Sequence, residues 1–396
     1  MAAVLVLMLA ASGVPSPLYR VYQEQFGFSS GVLTTVFGIY SFALLAALLV
    51  VGGLSDHVGR RPVLVAAFLL EAAAMALFLF ADGVGWLLTA RVVQGLATGA
   101  LTSTLGAALL DLQHRDRPLG AFINSASPAL GLSIGAVGAG LLVQFVPSPT
   151  SWVFGALTVV FLLAAVGTAA LPESSPRLPG AVASLIPRVH VPPAHRRAFV
   201  VALPLLVACW ALGGLYASLG PSLVAEVFGM DNHLVGGLLI LALNGTGIAG
   251  SLALRTSRPE RALLVGGLLF TVGVVGTIVA LGTSSAALLF VAAVVAGFGF
   301  GAAFLGAVAT ITAGVAPGHR ASLLAAVFVV GYLAYSLPAI AAGIAVGEFG
   351  LTRTTGAFSA AVVLMSLLAV AGLLRARRSV VAVEAPRREV LAQLPG

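Results

Sequence analysis

The sequence predicts an all-α membrane protein of twelve transmembrane helices arranged as two pseudo-symmetric six-helix bundles, and three observations carry that prediction. The 396 residues are 60% hydrophobic and 8% charged, with a mean hydropathy of +1.10, more apolar surface than a soluble fold can hide. Apolar runs of about 17 to 28 residues recur twelve times between polar breaks, and each is long enough to cross a bilayer. Landmarks also recur 202 residues apart, namely Phe26-Gly27 with Phe228-Gly229, Glu24 with Glu226, Gly95 with Gly297 and Gly99 with Gly301. A fixed offset over four landmarks is the mark of an internal repeat.

In the first half the spans are expected near Ala2 to Tyr19, Gly31 to Leu54, Pro62 to Ala81, Trp86 to Leu110, Leu119 to Phe145 and Trp152 to Leu171. In the second they are expected near Phe199 to Leu219, Leu234 to Leu254, Ala262 to Leu281, Ala286 to Val315, Ser322 to Val346 and Gly356 to Leu374. Breaks as short as Asp82 to Gly85 force neighbouring spans to be antiparallel. The expected organisation is a bundle over 1–171, a linker over 172–197, a second bundle over 198–374 and a tail over 375–396. The linker holds six prolines and four arginines with little periodicity, so it reads as extended chain. The first span begins at Met1 with no polar or basic residue before it, which points to a start upstream. A signal peptide needs a positive leading region, absent here, and the repeat needs this segment as partner of Phe199 to Leu219.

All 20 basic residues are arginines, and their placement predicts orientation, because positive charge is retained on the cytoplasmic side. With the polar hinge Gly52 to Leu64 inside, seventeen arginines lie inside, Arg20 and Arg353 lie outside, and Arg91 alone falls within a span. Both termini are then cytoplasmic. The arginines form no surface cluster, so the net charge of +7 does not indicate a nucleic-acid partner. The single cysteine, Cys209, excludes an internal disulfide framework or a cysteine-based zinc site.

The hinge reads GGLSDHVGRRPVL. Gly52, Gly53 and Gly59 permit close backbone approach and positive φ, Asp56 faces Arg60 and Arg61 in charge, and Pro62 suits a first helical turn. The pattern G-x-L-x-D-x-x-G-R-R resembles the loop between helices two and three of major facilitator transporters, most closely the drug and proton antiporter branch, with His57 at a position usually basic there. The resemblance implies a conformational latch made of Gly52, Asp56, Gly59, Arg60 and Arg61, holding the halves together on the cytoplasmic face. Asp111, at the cytoplasmic end of span four, is a candidate partner for Arg60, and Gly318 to Ser322 is the matching helix start of the second half. Ordinary solvated loop charges are the alternative reading.

Span four carries Arg91-Val-Val-Gln94-Gly95, with Arg91 about 7.5 Å below the outer surface at 1.5 Å per residue. It is similar to the superfamily's fourth-helix R-x-x-Q-G pattern, which implies proton coupling; a structural arginine reaching outward is the alternative. Proton coupling also needs an acid, and Glu71 is the only one at the middle of a predicted span. Helical rise places Glu71 and Arg91 roughly 9 Å apart in depth, so Glu71 either carries the proton or bonds a neighbouring helix. In span five the antiporters' I-G-P-x-x-G-G appears as Ile134-Gly135-Ala136-Val137-Gly138-Ala139-Gly140, a departure from that branch that keeps small residues for close packing.

The remaining polar and aromatic residues inside spans are Tyr40, Gln94, Asn124, Trp210, Asn244, Tyr332 and Tyr335. Lipid satisfies no amide, so these are expected to face a central pathway or another helix, as a substrate cavity with few charges that suits an amphipathic or lipophilic compound. No nucleotide-binding glycine loop, metal-spaced His and Cys cluster or nucleophile elbow occurs, so neither an enzyme nor a cofactor is expected. The sequence therefore predicts a bacterial inner-membrane secondary transporter, working as a monomer, that exchanges a small molecule for protons. A solute importer or uniporter on the same fold is the alternative, and from another class a channel or transport-dead receptor, which would show no substrate-dependent proton flux.

Overall fold

The computed structural model of the protein describes residues 2–112, 120–173, 175 and 177–392. Among these, all regular structure is helical, and twelve helices are long and apolar enough to cross a bilayer. They are α1 (Ala2–Gly13 continued by Pro15–Phe26), α2 (Ser30–Val51), α3 (Arg60–Leu79), α4 (Val84–Leu112), α5 (Gly120–Phe145) and α6 (Pro149–Ala169). The second six are α7 (Arg196–Ser222), α8 (His233–Leu254), α9 (Pro259–Thr283), α10 (Ala286–Thr312), α11 (Pro317–Phe349) and α12 (Leu351–Ala392).

The packing repeats six helices on. In the first bundle α4 lies against α2 and α3, α6 against α3 and α5 against α1; in the second, α10 lies against α8 and α9, α12 against α9 and α11 against α7. The bundles are joined chiefly by α2 with α11 and α5 with α8, with smaller contacts of α7 to α1 and α2 and of α8 to α1. The sequence landmarks explain this. Gly27 and Gly229 both take left-handed φ, +68° and +64°, and close the first helical segment of their halves, a conformation open to glycine without steric cost. Gly95 and Gly99 press α4 onto the α2 backbone at Tyr40 and Leu44, while Gly297 and Gly301 press α10 onto the α8 backbone at Leu243 and Gly247. A side chain at any of the four would collide with a facing carbonyl, which is how small residues set close helix approach in lipid. The small residues of α5 serve two neighbours: Gly135 meets Ala10 of α1, while Ala136 and Gly140 meet α8 at Gly237 and His233.

Several features differ from expectation, the most marked being these. The first helix runs to Phe26 rather than Tyr19, so Arg20 sits on it and pairs with Glu24 one turn on at 3.5 Å. Its two segments form one continuous span, since Val14 keeps helical angles (φ −54°, ψ −44°) and still donates to Ala10. The linker is not simply extended, holding a helical turn at Ala181–Ser184 and a 3₁₀ turn at Pro193–His195. Finally, α12 continues beyond Leu374.

Candidate functional site

Arg91 is 2% exposed and lies among α1, α2 and α4. Its guanidinium carbon stands 4.0 Å from the centroid of the Tyr40 ring and 6.0 Å from that of Tyr19, a stacking worth about 2 kcal/mol where water is excluded. One Nη donates to Gln94 Oε1 at 2.6 Å. Gln94 in turn donates from Nε2 to the Ala11 carbonyl at 3.1 Å. That carbonyl is available for a local reason: its helical donor would be the N–H of residue 15, and Pro15 has none. The Tyr40 hydroxyl donates to Ser12 Oγ at 2.9 Å. A break in the α1 ladder, an amide on α4 and a tyrosine on α2 thus converge on one buried cation, and the close approach at Gly95 brings Tyr40 against it.

Glu71 is fully buried on α3 and accepts from Thr98 Oγ1 of α4 at 2.6 Å. Its second oxygen, Oε2, has no partner. No ion pair joins Glu71 to Arg91. Of the two roles open to Glu71 in the sequence, the bond to a neighbouring helix is in place, and the free oxygen leaves the other chemically available.

On the other side of the molecule Trp210 of α7 packs edge-on to Tyr332 and Tyr335 of α11, with ring centroids 5.1 and 6.1 Å away, and against Phe304 of α10 at 6.2 Å. Tyr335 reaches the first bundle through Phe37, 5.2 Å away and one helical turn from Tyr40. The structure therefore brings together Tyr40, Gln94, Trp210, Tyr332 and Tyr335. Asn244 departs from the expectation that it reaches the pathway or another helix to be satisfied: its amide donates to Ile240 of its own helix at 3.0 Å. The side chains of Asn124 and Asp111 fall outside the described residues. Tyr19 and Thr98 were not singled out from sequence, although both lie one or two turns from residues that were.

The hinge is tied both within itself and to the linker. Asp56 pairs with Arg60 one turn away at 3.2 Å, and Arg60 also donates to Ser55 Oγ at 3.3 Å. The partner the sequence reading missed is Glu173 at the start of the linker. Its carboxylate accepts from the backbone N–H groups of Arg60 and Arg61 at 2.9 and 3.2 Å, capping the first turn of α3, where an anion is favoured by unpaired N–H groups and the helix dipole. Gly59, at φ +113°, leaves the space this carboxylate occupies. Arg61 donates to the Leu171 carbonyl at 3.2 Å, Leu178 N–H and Ser175 Oγ donate to the Asp56 carbonyl, and His57 Nδ1 sits 3.0 Å from the Leu178 carbonyl. The linker then crosses to the second bundle, where His190 N–H donates to the Ser322 carbonyl and His195 Nε2 lies 3.1 Å from that of Ala313. Gly318 to Ser322 is thus met by the linker. At the opposite end of α2, α4 and α11 a groove of about 410 Å³ opens, lined by residues including Thr35, Leu88 and Ile344.

Comparison with known proteins follows the same lines. The family model of the Major Facilitator Superfamily matches residues 1–339. An uncharacterized transporter of Rickettsia felis is 28% identical over 159 residues, 39% of this chain and 37% of that protein. A probable 4-methylmuconolactone transporter of Cupriavidus pinatubonensis is 35% identical over 121 residues, 28% of each. The matched segments thus span about a third of those relatives' lengths. A bacterial homolog of the human lysosomal transporter Spinster, solved inward-facing and occupied, superposes with a TM-score of 0.72 at 14% identity, covering 95% of both chains.

Proposed function

The chain belongs to the Major Facilitator Superfamily, and from that premise we propose that it is a secondary transporter exporting a hydrophobic or amphipathic small molecule in exchange for protons by alternating access. The carrying observation is the pairing of a buried cation and a buried acid on either side of α4, Arg91 bound through Gln94 to the broken ladder of α1 and Glu71 bound through Thr98. An ionisable residue inside a span is costly and marks a functional path. In this reading Glu71 holds and releases the proton at Oε2, and Arg91 ties that event to the helices that move.

Gly52, Asp56, Gly59, Arg60 and Arg61 act as the latch, with Glu173 as its partner. A strap tied to the hinge and to the start of α11, with a groove at the other end of the same helices, supports alternating access. Tyr40, Gln94, Trp210, Tyr332 and Tyr335 line the route. The arginine asymmetry supports a hinge, linker and termini on the cytoplasmic side, in a bacterial inner membrane in this reading, and one chain holds the whole route, so a monomer suffices.

Purified protein in proteoliposomes with an imposed pH gradient tests this directly: substrate addition should move protons, and a compound panel should identify what moves them. An importer or uniporter is favoured by one observation, the Ala136 and Ala139 that replace the antiporters' proline and glycine. Transport that collapses no pH gradient would select it.

A further inference from the structure

Apart from Glu71 Oε2, an acceptor, three unpartnered polar atoms near the centre can donate. Arg91 Nε, the Tyr19 hydroxyl and Trp210 Nε1 lack hydrogen-bond partners. A guanidinium and an indole N–H can only donate, and a tyrosine hydroxyl can donate. Among the described residues no carboxylate lies within ion-pair distance of Arg91, since Glu71 is bonded to Thr98 instead. A buried cation without a counter-ion, beside unused donors, is complementary to an anion.

We propose that the substrate is an organic anion whose carboxylate docks on Arg91 and Tyr19 while its apolar body lies against Phe37, Tyr335 and Trp210. This rests on the transport reading above and names the substrate class of that same route. Tyr40 covers one face of the guanidinium at 4.0 Å and Gln94 takes one Nη, so the Nε edge is the part left for a planar two-oxygen acceptor. The rings continue from there without a charge: Phe37 is one turn from Tyr40, Tyr335 stands 5.2 Å from Phe37, and Trp210 follows at 6.1 Å. A neutral amphipath leaves the Arg91 charge without a counter-ion, and a cation meets it with like charge. A carboxylate supplies both the counter-charge to Arg91 and an acceptor to the Tyr19 hydroxyl.

The experiment uses the full chain in lipid nanodiscs and a panel of aryl and alkyl carboxylates of six to twelve carbons, each beside its primary amide and its amine. Binding is read as the concentration-dependent rise of the melting temperature. Carboxylates should bind about tenfold or more tightly than their matched amides and amines. Arg91→Gln should abolish that preference, and Arg91→Lys should weaken it about tenfold, because a point charge cannot offer two parallel donors. Tyr19→Phe guards against misfolding: it removes one hydroxyl and no ring, so the free protein should melt unchanged while carboxylate affinity falls about threefold to tenfold. A panel in which amides or amines match the carboxylates, or in which no carboxylate binds, overturns the assignment. Carboxylate-selective binding without proton movement in the vesicles would sink the coupling and leave the anion site standing; proton movement driven by neutral or cationic compounds alone would do the reverse.

Discussion

Gln94 donates to the carbonyl of Ala11, 83 residues away in sequence, and it can do so because Pro15 withholds the N–H that an unbroken helix would have placed there. The helix break and the amide are therefore one device. Gln94→Leu should lower stability by about 1 to 3 kcal/mol through the orphaned carbonyl and the lost acceptor of Arg91. In a Pro15→Ala background the restored N–H can satisfy Ala11, and the penalty should shrink by about 1 kcal/mol. Melting temperatures of the four variants in detergent give the coupling; additive effects would show that the amide and the proline act separately.

Arg91 and Glu71 make separable predictions about coupling. Glu71→Gln retains an oxygen to accept from Thr98, so abundance in the membrane should stay near normal. If Oε2 carries the proton, gradient-driven uptake into inverted vesicles should fall about tenfold or more. Arg91→Ala should abolish accumulation altogether, since no neutral side chain replaces a fixed charge stacked on Tyr40. Normal coupled transport in Arg91→Ala would reduce that residue to a structural one.

The strap predicts a local effect. Glu173→Gln keeps the shape of the cap on α3 but removes its charge, a loss of about 1 kcal/mol at the helix terminus. Gly59→Ala should act in the same direction, by placing a methyl where the Glu173 carboxylate sits and by straining a positive φ. Both variants should expose Arg177 and Arg188 to trypsin several-fold faster than the parent, because cleavage follows the population of the open segment. Cutting rates equal to the parent's would mean that the linker is held elsewhere.

Orientation is testable with little background, because the native Cys209 is buried and 1% exposed. Single cysteines at Ser184 and Ser379 should resist an impermeant thiol reagent added outside intact cells and react in inverted vesicles. A cysteine at Arg353 should show the opposite pattern. Reaction of the first two from outside would reverse the assigned topology.

What the sequence determined by itself is what a single segment carries. Length and apolarity set twelve crossing helices, a fixed offset set the repeat, and an isolated charge inside an apolar run marked Arg91 and Glu71. These are properties of neighbours along the chain, and most were legible to within a few residues; the exceptions are α1, which keeps its helix through Pro15 and Pro17 past the end of its apolar run, and α12, which continues past Leu374. What only the tertiary structure decided is partnership. Nothing in the linker's composition announced that Glu173 would cap a helix 113 residues earlier, or that Thr98 rather than Arg91 would take Glu71. The reason is geometric: a hydrogen bond requires two faces to meet within about 3 Å, and which faces meet is set by the glycines that let α4 sink onto α2 and α10 onto α8. Hydropathy records that a helix is buried; it holds no record of what the helix is buried against.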